Sequence, residues 1–310
     1  MSCTSFETRW LQIWIGNAQW GLPAVKARAF SYVRPATVAE AIDAYAAAGG
    51  EASYIAGGQS LVPALALRLQ APECLIDIAH IEALRGIARD GDRLRLGALT
   101  RHVDAHDDPL IARYAPLLRL SAPHVAHPAI RNRGTLGGSV ALADPASEFP
   151  AMMLAMGAEM EIAGPDGTRR VPADAFFQDV YQTAIEPGEL LVAFHIPVAG
   201  PHHRCAFDEL ARRRGDYALV GCGVMLAMPG DVVEEARIAF LSVGPTPVRA
   251  RAAEAVLSGS RLDETTIRSA QAVLSEDLDP ADEAHMPAAM RLHLARVLLG
   301  RLLGQLGAST

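Results

Sequence analysis

Apolar positions in the first half of this chain follow helical and strand spacings in turn, which predicts a mixed fold. An alanine-rich stretch with apolar residues at helical spacing ends at Gly49-Gly50 and leads into a short apolar run. The helices predicted in this half span residues 38–48, 61–69, 100–106 and 110–121. The strands predicted are 52–56, 74–78 and 93–99, the last with alternating apolar and charged residues.

The second half predicts further helices and an antiparallel sheet. Gly164-Pro165-Asp166-Gly167 is a hairpin signal, and the Pro- and Gly-rich stretch 197–203 is the best linker candidate. The strands predicted are 159–163, 169–171 and 190–196, followed by a meander of 204–210, 218–228 and 236–243. Helices are predicted at 150–158, 264–274 and 287–306, the last with an apolar face (Leu292, Val297, Leu298, Leu302) for a core or a subunit interface. The fold class predicted is therefore α+β.

Two glycine pairs are the strongest candidates for a binding site. They lie in the runs Ala56-Gly57-Gly58-Gln59-Ser60 and Thr135-Leu136-Gly137-Gly138-Ser139, each closing an apolar run. Paired glycines admit close backbone approach and φ > 0, so successive N–H groups can converge on a phosphate. Two such loops in one domain suit two adjacent phosphates, and a dinucleotide cofactor is the natural candidate. A side chain at Gly58 or Gly137 is then expected to block the ligand. Either pair alone could also be an ordinary turn.

Composition and charge exclude other classes of function. The chain has 310 residues, 50% of them hydrophobic, a net charge of −7 and no Lys/Arg-rich block, so nucleic acid is not a predicted partner. No uninterrupted apolar stretch reaches the ~18–20 residues that span a bilayer. Four scattered cysteines (Cys3, Cys74, Cys205, Cys222) favour neither an iron–sulfur cluster nor a disulfide framework, and they predict a reducing, cytoplasmic compartment.

Several weaker constellations have two readings each. His102 and His106 have the i, i+4 spacing of metal ligands but lack a third ligand. His124 and His127 precede the second glycine pair, where a histidine could donate a hydrogen bond to a ligand or simply cap a turn. Two further segments belong here: Gly221-Cys222-Gly223 is read as a packed strand, and Arg212-Arg213-Arg214 with Asp216 as either a solvated charge run or the border of the site. No catalytic residue and no metal ligand is assigned.

The motifs around the second glycine pair closely resemble the FAD-binding medium subunits of the molybdenum hydroxylases, the carbon monoxide dehydrogenase and xanthine dehydrogenase family. The segments that carry the resemblance are 127–139 (HPAIRNRGTLGGS) and 143–148 (ADPASE). The first glycine pair lies where that family has its other FAD loop. Further matching segments are 30–35, 38–41, 75–78, 176–177, 181–183, 187–191, 212–218 and 244–249. The resemblance covers about residues 27–305.

The resemblance implies a role for individual residues. The two glycine runs would wrap the FAD pyrophosphate from opposite sides, and Glu148 would accept hydrogen bonds from ribityl or ribose hydroxyls. Val125 and Leu191 would offer backbone groups or apolar contact to the ring system. Glu209 lies near a position that is Lys in some relatives, and Ser139 stands where Asn is common. Bound FAD is expected to be noncovalent.

The resemblance also implies a domain organisation and partners. It predicts a two-subdomain FAD-binding domain of the PCMH type, as in relatives of vanillyl-alcohol oxidase, over residues 27–199 (subdomains about 27–83 and 84–199), and a C-terminal domain over 204–306. The subunit would pass electrons from [2Fe-2S] clusters on a small subunit to an external acceptor. Molybdopterin would lie on a large subunit, and the resemblance implies assembly as a dimer of heterotrimers. A stand-alone flavin oxidase or reductase, and an assembly protein that has lost FAD, are the alternatives.

The first 26 residues lie upstream of the region of resemblance. They contain all three tryptophans, Trp10, Trp14 and Trp20, with only a short apolar stretch and no secretory signal pattern. One interpretation is a start codon assigned too far upstream, with the true start at Val25. The other is a short amphipathic extension that packs on a neighbouring chain.

Overall fold

The computed structural model describes residues 26–308, which form three successive α/β units. The first is a three-stranded parallel sheet of order β1-β3-β2 with two helices. Its elements are β1 (Ser31–Val33), α1 (Val38–Ala47), β2 (Ala52–Ile55), α2 (Leu61–Ala66) and β3 (Cys74–Asp77). Thr37 caps α1, since its hydroxyl accepts a hydrogen bond from the Glu40 N–H at 3.1 Å.

The second unit is a five-stranded antiparallel sheet of order β4-β5-β10-β6-β7 with helices on one side. Its strands are β4 (Ile87–Asp90), β5 (Arg93–Gly97), β6 (Glu159–Gly164), β7 (Gly167–Pro172), β8 (Phe177–Asp179), β9 (Gln182–Thr183) and β10 (Leu190–Pro197), β8 and β9 forming a separate pair. Its helices are α3 (His102–Asp107), α4 (Pro109–Tyr114), α5 (Pro116–Ser121), α6 (Pro128–Arg131), α7 (Leu136–Leu142), α8 (Glu148–Met156) and α9 (Ala173–Phe176). Short 3-10 turns lie at Glu82–Leu84 and Ala122–His124.

The third unit is a four-stranded antiparallel sheet of order β11-β12-β13-β14 covered by helices. Its elements are β11 (His203–Ala211), β12 (Ala218–Ala227), β13 (Glu235–Leu241), β14 (Val248–Arg249), α10 (Arg251–Leu257), α11 (Glu264–Ala272), α12 (Leu274–Asp277) and α13 (Ala288–Gly307). The buried side of α13 packs Leu298, Leu299, Leu302 and Leu303 into this unit's core.

Helix α8 joins the second and third units. All nine of its residues are buried, and it contacts β12 and β13 of the third unit. The Arg237 guanidinium, from β13, donates to the carbonyl oxygens of Ala155 at 2.7 Å and Leu154 at 3.3 Å, which caps the C-terminal end of α8. The N-terminal end of α8 is thereby held at a fixed position in the molecule.

Most predicted elements are confirmed, including the hairpin β6–β7 and the meander β11–β13, and Gly221-Cys222-Gly223 lies within β12 as predicted. Three predictions need correction. The helix predicted at 110–121 is two helices, because Pro116 has no N–H to donate and starts a new one. The helix predicted at 61–69 ends at Ala66, and Arg68 adopts φ +58°. The second glycine pair lies in the first turn of α7 and not in a loop.

Two expectations about chain ends and surfaces have different outcomes. The extension 1–26 lies almost entirely outside the described residues, so its two interpretations stay open. The apolar face predicted for the last helix faces the core as expected except for Val297, which is 38% exposed. Within residues 26–308 no helix combines the length and apolarity needed to cross a membrane.

Candidate functional site

The first glycine run is a turn between β2 and α2 whose backbone donors are unused. Gly58 has φ +71°, a conformation that glycine adopts without a Cβ penalty. Among the described residues, the backbone N–H groups of Gly57, Gly58, Gln59 and Ser60 donate no hydrogen bond. Gln59 turns its side-chain amide back onto the Gly57 carbonyl at 2.9 Å. Consecutive free N–H groups of this kind form an anion-binding concavity.

The second glycine run differs, because its donors are largely used inside the protein. The N–H groups of Leu136 and Gly137 bond the carbonyls of Thr100 and Ala98 at 2.8 Å each. The Thr135 hydroxyl caps α7 by accepting from the Gly138 N–H at 3.1 Å. The free backbone donors of the site therefore lie on the first run, and the second run supplies the start of a helix.

Glycine is required at the paired positions for different structural reasons, which follow from what a Cβ atom would meet at each of them. A Cβ on Gly57 would lie 2.2 Å from the Arg133 carbonyl oxygen, and one on Gly137 would lie 2.6 Å from the Ala98 carbonyl oxygen. Both positions are closed by protein backbone. A Cβ on Gly138 would meet only the Thr135 hydroxyl, at 3.0 Å. The expectation that a side chain at Gly137 would intrude on the ligand is therefore corrected: it would intrude on Ala98.

A basic cleft of about 280 Å³ lies where the two runs meet. Its lining includes Gly57 and Thr135 together with the cationic side chains Arg85, Arg101 and Arg133. The Arg85 Nε is buried without a hydrogen-bond partner, and the nearest carboxylate oxygen, from Glu82, is 3.6 Å away. A cleft lined by three arginines and by Gly57, the first residue with a free N–H donor, suits an anionic ligand such as a diphosphate.

His102 supports the second run and does not bind metal. Its ring is 6% exposed, and Nε2 donates to the Thr135 carbonyl oxygen at 3.0 Å, while burial lowers the pKa of His102 to about 4. Its predicted partner His106 bonds Asp107 on the surface instead. Within residues 26–308 no group of three or more side chains of metal-ligating type is found, and His102 and His106 bond different partners.

Replacing His102 with glutamine is expected to remove part of the acid sensitivity of the fold. The unfolded histidine has a pKa of about 6.5 and the folded one of about 4, so the native protein loses stability as pH falls between these values. The loss from pH 7 to pH 5 is about 2 kcal/mol, and H102Q cannot contribute it. The difference in Tm between the native protein and H102Q should therefore become smaller by roughly 4–8 °C as the pH falls from 7 to 5.

H106Q is the matched control, because His106 is half-exposed and pairs only with its neighbour Asp107. A Tm gap for H102Q that stays constant from pH 7 to pH 5 would show that His102 is not the group responsible.

Glu148 lies at the start of α8, close to the second run. Ser147, the residue before it, bonds Ser139 through the two hydroxyls at 2.7 Å. Glu148 is only 9% exposed, and desolvation raises its pKa to about 8, with Glu209 adding to the shift. Glu148 therefore favours the neutral acid at pH 7, which can both donate and accept a hydrogen bond, and its role as an acceptor for ligand hydroxyls stays a prediction.

Glu209 lies beside His124 at the same place. Its side chain on β11 is 5% exposed, and one carboxylate oxygen is 3.5 Å from His124 Nδ1. The other oxygen, Oε2, is buried with no hydrogen-bond partner. The carboxylate raises the pKa of His124 and so favours the imidazolium. The interpretation of His124 as a simple turn cap is thus replaced by an ion pair with Glu209.

Val125 and Leu191 are both core residues. The Val125 carbonyl accepts from the Arg131 guanidinium at 2.9 Å, and its N–H reaches the Ala122 carbonyl at 3.3 Å. Leu191 pairs with Ile162 of β6 and is 3% exposed. Because their backbone groups are engaged within the protein, these two residues can offer a ligand only apolar contact.

The triple-arginine segment forms the turn between β11 and β12. Gly215, in that turn, has φ +79° and approaches the Ala126 carbonyl so closely that a Cβ would lie 2.5 Å from it. Arg212, Arg213 and Arg214 are exposed. The turn thus packs on the residue after Val125, so it borders the region of the candidate site.

Three contributors to the site lie outside the sequence-based assignment: the Arg133 carbonyl, His102 and Arg131. Arg131 donates to three carbonyls of the segment 123–126 and fixes its path. Arg131 and Arg133 lie within the segment 127–139 that carries the resemblance, so they could have been identified from the sequence. His102 has no such signal, since only the fold brings it to Thr135.

Fold and cleft together define a protein built to hold a phosphate-bearing ligand between two α/β units. Residues 28–199 match the family model described as "FAD binding domain in molybdopterin dehydrogenase", and residues 205–306 match "CO dehydrogenase flavoprotein C-terminal domain". The carbon monoxide dehydrogenase medium chain of Afipia carboxidovorans is 38% identical over 88% of this chain and 94% of its own.

Solved structures agree with the sequence relatives. Carbon monoxide dehydrogenase from Hydrogenophaga pseudoflava gives a TM-score of 0.88 at 36% identity, covering 91% of this chain and 98% of that chain. Quinoline 2-oxidoreductase from Pseudomonas putida 86 gives 0.86 at 41% identity, covering 91% and 98%. The chain belongs to the family of FAD-binding medium subunits of the molybdenum hydroxylases. It carries an FAD-binding domain and is an oxidoreductase subunit, which confirms the family and the fold class predicted from sequence.

Proposed function

We propose that this chain binds one FAD noncovalently across the two glycine runs and acts as an electron-transfer subunit. The observation that carries the proposal is the row of four unused backbone N–H groups, Gly57 to Ser60, beside a cleft lined by arginines. Such donors bind a pyrophosphate without any further rearrangement of the backbone. Bound FAD supplies one- and two-electron transfer, and the protein supplies position and electrostatics.

The proposed FAD-contacting residues fall into two groups. The pyrophosphate is held by the two glycine runs, through N–H groups of the first and the start of α7 in the second. The residues are Ala56, Gly57, Gly58, Gln59, Ser60, Thr135, Leu136, Gly137, Gly138 and Ser139. Glu148, Val125, Leu191 and Glu209 surround the remainder of the cofactor. Among these, Gly57 and Gly137 act by backbone packing, since protein atoms close both Cβ positions.

Electrons reach the FAD from [2Fe-2S] clusters on a small partner subunit and leave to an external acceptor such as NAD⁺, oxygen or a quinone. Hydroxylation takes place at molybdopterin on a large subunit, and the assembly is a dimer of heterotrimers. Support comes from the relatives, which are named as medium chains or complex subunits. These relatives belong to enzymes named for substrates from carbon monoxide to quinoline, which supports placing substrate choice on another subunit.

Copurification with the two partner chains tests this function. The tagged full chain, co-expressed with a cysteine-rich small subunit and a molybdopterin-binding large subunit, is expected to retain both. Alone it should carry one FAD per chain and show at most weak diaphorase-like activity, with hydroxylation only after reconstitution. Complete substrate oxidation by the isolated chain would establish the stand-alone flavoenzyme, and a colourless isolated chain would establish an assembly protein without FAD.

A further inference from the structure

Three titratable side chains from three different elements act electrostatically on one another, and the carboxyl groups of two of them are buried. Glu148 comes from α8, Glu209 from β11 and His124 from the 3-10 turn Ala122–His124. Glu148 and Glu209 are nearly inaccessible to solvent, and His124 is about one-third exposed. We call these three residues the acid cluster. Two carboxyls and one imidazole at this burial cannot all ionise independently.

The hydrogen bonds of the acid cluster are incomplete. The His124 imidazole faces one oxygen of Glu209, while Glu209 Oε2 has no partner among residues 26–308. An unpaired buried carboxylate oxygen is costly, so a native protein keeps one for a reason. The Glu209 carboxylate raises the pKa of His124, and beside this pair burial, with Glu209 adding to it, raises the pKa of Glu148 to about 8.

Other charged groups face the cluster from every neighbouring element. Asp144, between α7 and α8, acts on Glu148, and Asp208 on β11 acts on His124. Asp208 itself pairs with Arg301 of α13 at 3.2 Å. Tyr217 lies near Glu148 and Asp144, and Tyr181 donates to Asp144 at 3.4 Å. Both tyrosines are exposed and neutral below pH 10, so the net field on Glu148 is negative.

Glu148 links the acid cluster to the second glycine run. Ser139 closes that run, and its hydroxyl bond to Ser147 places Glu148 one residue further along. A dinucleotide whose phosphates occupy the cradle would extend its next groups toward this acid cluster.

We propose that Glu148, tuned by the His124–Glu209 pair, is the group that couples a proton to reduction of the bound FAD. This inference rests on the proposed function. Two-electron reduction of a bound FAD by an external donor, with uptake of one proton, would leave one negative charge in the site. That charge opposes ionisation of Glu148, so an ionised Glu148 takes one further proton from solvent. Two electrons and two protons then enter in total.

The coupling has a defined pH window. Below pH 8 Glu148 is already protonated in the oxidised protein, so it takes up nothing on reduction. Above pH 8 it starts ionised and gains a proton. The midpoint potential of the native holoprotein should therefore fall more steeply with pH in this region, by an extra 30 mV or so per unit, since tenfold in a two-electron equilibrium is about 30 mV.

The experiment is redox titration of the FAD-loaded protein from pH 6 to pH 10, native and E148Q. The glutamine keeps the shape of the side chain but cannot titrate. The midpoint potentials of the two proteins should change with pH in parallel up to about pH 8. At about pH 9 and a fixed potential, the ratio of reduced to oxidised FAD should be about tenfold lower in the native protein than in E148Q. Parallel curves over the whole range would overturn the proposal.

E209Q is the second variant and stands on its own if E148Q fails to fold. Removing the Glu209 charge lowers the pKa of Glu148, so the steep region should begin at lower pH; an unmoved onset counts against the proposal. E264Q is the matched control, because Glu264 is exposed and pairs only with Arg268 on the same helix. A native protein that holds no FAD would refute the proposed function, whereas retained FAD with unchanged slopes would refute only this inference.

Discussion

Replacing Gly58 with leucine is expected to abolish stoichiometric FAD binding in a chain that still folds. Gly58 holds φ +71°, and a residue with a Cβ pays roughly 1–2 kcal/mol there. The leucine would also press on Val62, whose Cγ2 would lie 3.2 Å from the new Cβ. The turn would relax to negative φ and redirect the free N–H groups of Gln59 and Ser60 away from the cleft. Visible absorption of the purified protein, as flavin per chain, measures the loss.

Gly49→Leu is the matched control for this variant. Gly49 has φ +63° with nothing within 4 Å of its Cβ position, so it carries the same backbone strain at the end of α1. Both variants should lose similar amounts of stability, and only G58L should lose its flavin. Equal flavin content in G58L and the native chain would mean that the first run does not hold the cofactor.

Replacing Gly137 with alanine is expected to destabilise the fold severely, whereas the same change at Gly138 is mild. The Gly137 Cβ would lie 2.6 Å from the Ala98 carbonyl oxygen and 2.7 Å from the Ala98 side chain, both in a packed region. Neither can move without shifting β5 and its bond to β10, so we expect a cost of about 3 kcal/mol or more. The Gly138 Cβ meets only a hydroxyl.

Thermal melting followed by circular dichroism separates the two variants. G137A should melt at least about 6 °C below the native chain or fail to accumulate in soluble form, and G138A should stay within a few degrees of it. If G137A melts with the native chain, the close approach to Ala98 is not a constraint on this turn.

The sequence was sufficient for elements whose signal is local. The hairpin β6–β7 has a strong turn motif, and α13 has an apolar stripe long enough to be unambiguous. The helix break at Pro116 was equally local and could have been predicted, because proline cannot continue a helix. The strands β1, β8, β9 and β14 have only two or three residues each, which is too few for periodicity to reveal them. Strand β4 was not predicted either.

The residues of the candidate site could be predicted from the sequence, but the role of each residue could not. Both glycine pairs stood out, yet only the fold shows that Gly57 and Gly137 are closed by backbone while the donors of the first run are free. The protonation of Glu148 was beyond the sequence for the same reason. It depends on burial by side chains from β11 and the 3-10 turn, which the chain order keeps far apart.

The contact between Gly57 and the Arg133 carbonyl has a consequence for how the protein acquires its cofactor. The peptide that shapes one side of the cradle is synthesised long after the turn that it supports. While the chain emerges from the ribosome, the first unit can fold with its donors in place, but nothing yet fixes their direction. If FAD binds in this cradle, its loading therefore has to follow translation of the second unit, which would make flavin content a marker of a chain translated through that unit.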